Sequence, residues 1–397
     1  MITRETLMVL YNETVFTKHV NREYNDKFGE AGAKIGSVVN LRKPVRFVAA
    51  AGQGIIYQDL TETSVPLTLT TQYQRSFQVS TADLKLSIDD FSKRFIRPAM
   101  YSMGNQIDVD GLSQYINVFN EVGTPGTVPN SALTYLQAGQ KLSDQAVPTA
   151  DRKVVIGTKQ NATIVNALAG LFNPQRKISE QYDKGMMSSD TLGFDWYMDP
   201  NTQPQVVGPQ GGTPTISAAN QTGSSITTTG WTASAGLRLN LGDVVTFAGC
   251  FAVNPQSRTS TGDLAQWVLT ANASSDGSGN ATLQIAGPDG NGIITSGPFQ
   301  NASASPTNGG AVSVQGAANT NTTRGLAFHP DAFTFANVPL PLPDGVDMKE
   351  RMGVPEIGLS CRIIRAYDIN TDRLPLRCDV LGGWATIYPQ LAVRIAS

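Results

Sequence analysis

Between Ser87 and Asn120 the chain carries its one long helical pattern, and the segments on either side must fold around it. Ser87 has the character of an N-cap, and Asp90 three residues on gives the spacing of a capping box. Asp89 and Asp90 also fall where the partial positive charge of a helix start favours carboxylates. Phe91, Phe95, Ala99, Met103 and Ile107 recur every fourth residue, which a helix gathers into one stripe. A second apolar set, Leu112, Tyr115, Ile116 and Phe119, follows. At about 1.5 Å per residue the span would reach roughly 50 Å, the breadth of a sizeable domain. Pro98 interrupts the rod at a cost of about 3 kcal/mol, and Gly104 and Gly111 weaken it by about 1 kcal/mol each. At about 100° per residue the two apolar sets also fall on nearly opposite sides. The pattern predicts either one helix that passes its buried face from one neighbour to another, or two helices.

The chain has 397 residues, 40% of them hydrophobic, which is ample for a core and predicts two or three domains. Thirty basic residues against 32 acidic ones leave a net charge of −2, so no strong overall field steers the chain to nucleic acid or membrane. Charged residues make up only 16%, against about 25% in ordinary soluble domains. A surface buried against partners would explain this, and so would loops rich in Gly and Thr. Cys250, Cys361 and Cys378 are too few and too widely spaced for a disulfide framework and read as buried thiols of a reducing compartment. Met1-Ile2-Thr3-Arg4-Glu5 lacks the apolar run of a signal peptide, and no stretch approaches the ~20 apolar residues that span a bilayer.

Taken in order, residues 1–34 read as an arm, with a short helix through Leu7, Leu10 and Phe16. Residues 35–86 form an extended excursion. It leaves through Val38–Arg42 and Val45–Val48, turns at Ala49–Gly54, and returns through Thr68–Thr70 and Phe77–Val79. Such a ribbon has too little apolar surface to stand alone and must lie on its own domain or on a neighbouring subunit. After Gly123-Thr124-Pro125-Gly126, a helix capped by Asn130 or Ser131 carries Leu133, Leu136 and Leu142. A buried strand at Arg152–Gly157, a helix from about Asn161 and a strand at Leu192–Met198 continue an α+β pattern. From Thr213 to Gln315 charge nearly vanishes, yet Val244–Phe247, Trp267–Thr270 and Ala281–Ile285 punctuate the stretch. Short strands between turn residues predict a small all-β barrel or sandwich inserted into the host domain. The host pattern resumes at Gly325–Phe328 and ends in long strands over Leu359–Tyr367 and Leu374–Ile395.

Catalytic chemistry needs convergent groups of tunable pKa, and the sequence is poor in them. His19 and His329 have neither metal-pair spacing nor a Cys partner. Gly52-Gln53-Gly54 lacks the third glycine of a dinucleotide loop, and no Gly-Lys-Ser/Thr phosphate loop occurs. Asp108-Val109-Asp110-Gly111 cannot be a calcium loop, because aligning Gly111 at the sixth position puts Gln106 first and Asn117 twelfth. These aspartates therefore read as solvated helix-face residues. Asp276–Asn280 reads as a hairpin tip rather than a cation loop. The expectation is a non-enzyme with no cofactor.

Several stretches together resemble the major capsid proteins of tailed double-stranded-DNA bacteriophages. They are Phe28–Phe47, Arg97–Asp110 with its Pro98, Val147-Pro148 with Arg152, Gly193–Tyr197, Leu326–His329 with Ala332-Phe333, and Arg377–Gly383. In order and spacing they look like the P-twenty-two branch of the Hong Kong 97-type fold, an α+β capsid fold with an inserted β-barrel. The resemblance implies an N-arm (1–34), an E-loop laid over a neighbour (35–86) and a spine helix (87–121). It further implies an axial domain beginning at 122–212, the inserted barrel (213–315), and the rest of the axial and peripheral domains (316–397). Arg46, Phe47, Gln53, Ile55, Tyr57, Asp59 and Arg75 become candidates for subunit contact. Phe91, Phe95, Met103, Leu112, Ile116 and Phe119 become spine packing residues, with Pro98, Gly104 and Gly111 absorbing a kink.

The implied function is structural. Copies of the chain would assemble as hexamers and pentamers of an icosahedral head in the host cytoplasm, with a scaffolding protein and a portal protein. The shell would enclose double-stranded DNA held non-specifically on its inner face, with no membrane involved. Two features depart from relatives. Ser217–Thr229 has no charge where a related coat protein carries a charged loop. Between Pro44 and Leu84 there is no lysine, so isopeptide cross-linking from that loop is chemically excluded. The alternatives are a bacterial nanocompartment shell of the same fold and a carrier whose 213–315 segment serves adhesion.

Overall fold

A computed structural model describes residues 8–11, 14–24, 36–48, 57, 60, 62–80, 92–168, 187, 190–354, 359–369 and 373–397. The expected cap at Ser87, the carboxylates at Asp89 and Asp90, the Gly52-Gln53-Gly54 tip and four candidate residues (Gln53, Ile55, Asp59, Phe91) lie outside them. The chain divides into two compact units.

The first elements are β1 (Val38–Arg42), β2 (Ser64–Thr68), β3 (Thr71–Ser80) and α1 (Arg97–Leu112). Next come β4 (Glu121–Val122), α2 (Ala132–Asp144), β5 (Lys153–Ile156), α3 (Thr158–Leu168), β6 (Asp195–Met198) and β7 (Pro204–Val206). The insertion supplies β8 (Gly212–Ile216), β9 (Ser225–Trp231), β10 (Gly236–Leu239), β11 (Val244–Val253), β12 (Ser260–Leu269), β13 (Ala273–Ser275), β14 (Ala281–Ala286) and β15 (Val312–Val314). The chain closes with β16 (Asn321–Phe328), β17 (Phe333–Val338), β18 (Met348–Val354), β19 (Leu359–Arg365), β20 (Arg373–Thr386) and β21 (Ala392–Ala396).

Unit 1 comprises residues 1–42, 64–112 and 333–385. Its sheet runs β17-β20-β19-β18, with β3 paired along β20, and β1 and β2 form a separate antiparallel pair. The returning arm of the excursion therefore does not stay in a ribbon: from Thr71 its backbone bonds are completed by β20. Helix α1 follows directly on a wider π-helical turn at Ser92–Ile96, and Pro98 is its second residue. The α-helix continues through Gly104 and Gly111, both on the same buried face as Met100, Met103, Ile107 and Leu112. The expected change of face is thus not at these glycines. The helix type changes only at Ser113–Asn117, which winds as 3-10.

Gly111 has another reason to lack a side chain. A Cβ there would sit 2.6 Å from the Trp384 ring and 2.8 Å from the ring of Phe16. Phe16 stacks on Trp384 with centroids 5.6 Å apart and meets Phe333 edge-on at 5.6 Å. Leu10, Phe16 and Val20 are all buried, so the described part of the arm belongs to the core of this unit. Asp108, expected to face solvent, is buried too. It accepts from the backbone N–H of Val15 (2.6 Å) and Thr17 (3.0 Å) and from the Thr17 hydroxyl (2.5 Å). The expectation failed because helical spacing assigns a face and cannot show that an arm about 90 residues earlier folds back onto it.

Unit 2 comprises residues 43–63, 113–332 and 386–397. Its host sheet runs β4-β21-β16-β5-β6, with β7 added to β16. Ser131 caps α2 by accepting from the Leu133 N–H at 3.0 Å. The helix buries Tyr135, Ala138 and Leu142 against Val154, Ile164, Trp196, Ala327 and Val393, leaving Leu133 and Leu136 exposed. The inserted segment forms a six-stranded sheet, β15-β11-β12-β14-β9-β8. Its two outer strands meet at the Thr215–Ala311 bridge, and Ile216 N–H donates to the Gly310 carbonyl at 2.9 Å. The result is a nearly closed barrel around Trp231, Phe247, Trp267, Leu283 and Ile285. Strands β9 and β14 alternate buried and exposed, the pattern of a one-sided core. Asp276–Asn280 is a hairpin tip, where the Asp276 carboxylate accepts from the N–H groups of Ser278 and Asn280 at 2.8 Å each.

Candidate subunit-contact site

The excursion begins in unit 2 at Lys43. The expected strand at Val45–Val48 is absent, and side chains hold this root instead. The Arg46 guanidinium lies 2.7 Å from the Asp289 carboxylate and 5.5 Å from the Phe299 ring centroid. Lys43 reaches the same carboxylate at 3.6 Å, with its ammonium 5.2 Å from the Tyr388 ring. Burial pulls the Lys43 pKa down, and Asp289 opposes that shift. Gln390 clamps Asp289 twice, accepting from its N–H at 3.1 Å and donating to its carboxylate at 2.9 Å. Asp289 holds a left-handed backbone (φ 58°), uncommon outside glycine and tolerated best by Asp and Asn. A cleft of about 550 Å³ opens beside this clamp, lined in part by Phe47, Thr63, Pro255, Arg258 and Phe299.

Beyond the root, Phe47 is exposed by 63%, Leu60 by 68% and Tyr57 by 90%. The Phe47 carbonyl accepts from Arg258 at 3.0 Å, so its backbone is tied while its ring faces outward. Of the candidates for subunit contact, Arg46 is thus held within its own chain. Arg75 lies on β3 in unit 1 and bonds to the Ser102 hydroxyl (2.9 Å), the Ser102 carbonyl (3.2 Å) and the Gln74 carbonyl (2.9 Å). Among the spine residues in unit 1, Phe95 stacks on Phe77 with centroids 6.1 Å apart, and Met103 and Leu112 are buried. In unit 2, Phe119 is buried and Ile116 packs at Gly242, where a Cβ would come 2.7 Å from its side chain.

Unit 2 also holds a buried charge cluster that no local pattern announced. Arg324 of β16 and Arg394 of β21, on adjacent strands, point to Glu121 of β4. The Arg324–Glu121 contact is 2.6 Å, and Arg394 lies 3.9 Å from the other carboxylate oxygen. Arg394 donates as well to the carbonyls of Val118 (2.6 Å) and Gly242 (2.7 Å). Gln205 accepts from both arginines at 3.3 Å and donates to Asp243 at 3.1 Å. The Asp243 carboxylate takes the N–H groups of Gly208 and Asn240, each at 2.9 Å. Burial pulls Arg394 down to about 10 while Glu121 opposes the shift, and burial pushes Asp243 up. Gln266 of the barrel completes the join: it accepts from the Glu121 N–H (2.9 Å) and donates to the Glu121 carbonyl (3.0 Å), as a paired strand would. Barrel and host sheet are therefore pinned by buried polar bonds around Glu121.

The family model described as "P22 coat protein - gene protein 5" matches residues 1–395. The chain belongs to the P22 coat protein family. It is a structural subunit of an icosahedral phage shell, with a mixed α+β capsid fold and a barrel-like insertion. No curated protein matches the sequence. Among solved structures, this coat protein is similar to one from Mycobacterium phage Che8, with 13% identity, 96% of this chain and 90% of that chain covered, and a TM-score of 0.46. It is likewise similar to the capsid structure of cyanophage P-SCSP1u, with 11% identity, 91% and 83% covered, and a TM-score of 0.43. For the mature capsid of bacteriophage PhiM1 the identity is 9%, the coverage 96% and 86%, and the TM-score 0.43.

Proposed function

We propose that this coat protein assembles with a scaffolding protein into a procapsid that encloses double-stranded DNA, using the excursion between Lys43 and Thr63 as its main intersubunit contact. Hexamers and pentamers of the chain build the shell, a portal protein completes it, and assembly takes place in the host cytoplasm. The contribution is mechanical rather than catalytic. One observation carries this reading: the root is clamped by Asp289 and Gln390, while Phe47, Tyr57 and Leu60 beyond it present apolar surface to solvent. Exposed aromatics on an anchored loop are stabilised by burial against a partner, at about 1.5–3 kcal/mol for a large side chain. Without a lysine in this loop, no isopeptide bond can start from a loop ammonium.

Co-expression with the scaffolding protein, followed by electron microscopy, tests the proposal. Wild type is expected to give closed shells, whereas Tyr57→Asp combined with Phe47→Asp gives soluble subunits with unchanged circular dichroism. Monomers of wild type under every condition, or normal shells from the double variant, would refute it.

A further inference from the structure

The cleft at the root of the excursion holds polar groups that the Asp289 clamp leaves unmatched. All of its lining residues belong to unit 2. Three cations, Lys43, Arg46 and Arg258, and two carboxylates, Asp289 and Asp331, line it. Lys43, Arg46 and Gln390 converge on Asp289, and Asp331 lies 3.4 Å from the His329 ring nitrogen. The lining thus carries one positive charge in excess. Arg258 is the cation that meets no carboxylate among the described residues.

Two buried polar atoms on this lining have no hydrogen-bond partner among the described residues, the Nε of Arg258 and the Oγ1 of Thr63. Buried donors are nearly always satisfied in folded proteins, so two orphans on one cleft mark a place for an acceptor. Both are held before anything binds. The Nη2 of Arg258 donates to the Phe47 carbonyl at 3.0 Å, which fixes the guanidinium along the wall. The Arg258 backbone is left-handed (φ 56°), uncommon for a residue of this kind, and the turn between β11 and β12 enforces it. There the Arg258 N–H donates to the Asn254 carbonyl at 2.8 Å. The Asn254 side chain accepts from the N–H groups of Gln256 (2.9 Å) and Ser257 (3.1 Å) and donates to the Asp144 carbonyl (3.0 Å). Thr63 stands where the excursion returns, and its carbonyl accepts from the Lys43 N–H at 2.8 Å. Donors fixed in this way lose little freedom when a ligand arrives.

The rest of the wall is apolar and largely aromatic, with Phe47, Phe299, Tyr388, Pro255 and Leu391. Aromatic rings pack well against a flat ring, stacked or edge-on. At about 550 Å³ the cleft has the size of a small-molecule site.

We propose that this cleft binds a small planar aromatic monocarboxylate. The carboxylate accepts from the Arg258 Nε–H and the Thr63 hydroxyl and cancels the excess charge, while the ring lies against Phe47 and Phe299. A bond between a guanidinium and a carboxylate is about twice as strong as one between neutral groups. A water molecule satisfies an orphan donor but brings no charge and covers no ring. A phosphate ester is the lesser fit, because its second negative charge has no counterpart on this lining. The bound molecule joins the returning end of the excursion, at Thr63, to the barrel turn that carries Arg258. The site lies within one chain, so the inference stands apart from the shell reading.

Isothermal titration calorimetry of the full-length unassembled subunit with 2-naphthoate tests the proposal. Wild type is expected to bind it saturably. The neutral twin 2-naphthamide and the ringless anion acetate should each bind at least about tenfold more weakly. R258Q, checked for unchanged circular dichroism, should weaken 2-naphthoate binding at least about tenfold, and the near-isosteric T63V about threefold or more. T63V keeps the test open if R258Q, which also loses the bond to the Phe47 carbonyl, does not fold. The control K159Q, on exposed α3, should match wild type. No saturable binding by wild type, equal affinity for the amide, unchanged affinity in either folded cleft variant, or an equal loss in K159Q would each overturn the proposal.

Discussion

Replacing Glu121 by Gln isolates what the buried cluster contributes, because it keeps the shape and removes one charge. In wild type Arg324 and Arg394 are balanced by Glu121 and Asp243 at a buried site. After Glu121→Gln one positive charge stays buried without a counter-ion. Breaking such a pair from one side costs about 3–5 kcal/mol. The substituted amide still accepts one bond from Arg324, so we expect the lower end, about 3 kcal/mol. At about 2 kcal/mol per molar urea this lowers the midpoint by roughly 1.5 M. Urea unfolding of the purified subunit, followed by tryptophan fluorescence, reads it directly: Trp231 and Trp267 lie in the barrel core and Trp196 in the host core of the same unit. Replacing Glu121, Arg324 and Arg394 by Met together with Asp243 by Asn should recover most of the loss, since a neutral cluster of similar volume costs no charge burial. A Glu121→Gln midpoint within about 0.3 M of wild type, or a quadruple variant worse than the single one, would show that the charges are not coupled as described; that limit corresponds to about 0.6 kcal/mol.

Gly111→Ala gains about 1 kcal/mol of helix propensity but drives a methyl into Trp384 and Phe16, at a cost of about 1–3 kcal/mol for overpacking. We expect net destabilisation and faster proteolysis of the arm, and a raised melting temperature would contradict the packing account. Asp199 is buried, and its Oδ2 has no hydrogen-bond partner among the described residues. Burial raises its carboxyl pKa above the unfolded value, so the folded form takes up the proton first and wild type loses stability as pH rises from about 4 through that raised pKa. Asp199→Asn, which keeps the bond from the Asn201 N–H, should therefore melt higher than wild type at about pH 7 and close to it at about pH 4. Equal melting temperatures at both pH values would contradict this.

Where a signal is local, the sequence was readable. Ser131 caps α2 because a hydroxyl before a helix finds the orphan N–H two residues on. The barrel strands were visible as apolar runs between turn residues, since a one-sided sheet imposes alternation on each strand separately. Leu133 and Leu136 misled because an apolar residue marks a helix face only when a neighbour covers it, and Tyr135, Ala138 and Leu142 are the covered set. Nothing in the sequence window around Glu121 distinguishes it from a solvated loop carboxylate. Its partners come from residues 266, 324 and 394, and Gln205 and Asp243 complete the cluster around the arginines.

By itself the sequence determined the type of most elements, the presence of the inserted β-segment, the absence of loop lysines, and the family that those ordered stretches resemble. Tertiary structure alone decided which charges matter. It buried Asp108 under the arm, drew Glu121 and two arginines into one buried cluster, and aligned Arg351, Arg362, Arg373 and Arg377 on one face. The long pattern from Ser87 to Asn120 shows the same division. Its helical period was legible, but the described helix keeps one buried face through Gly104 and Gly111, because the partners that cover it come from the arm and from Trp384. Periodicity is carried by neighbours along the chain, whereas the field around a charge and the cover over a helix come from residues far away in sequence.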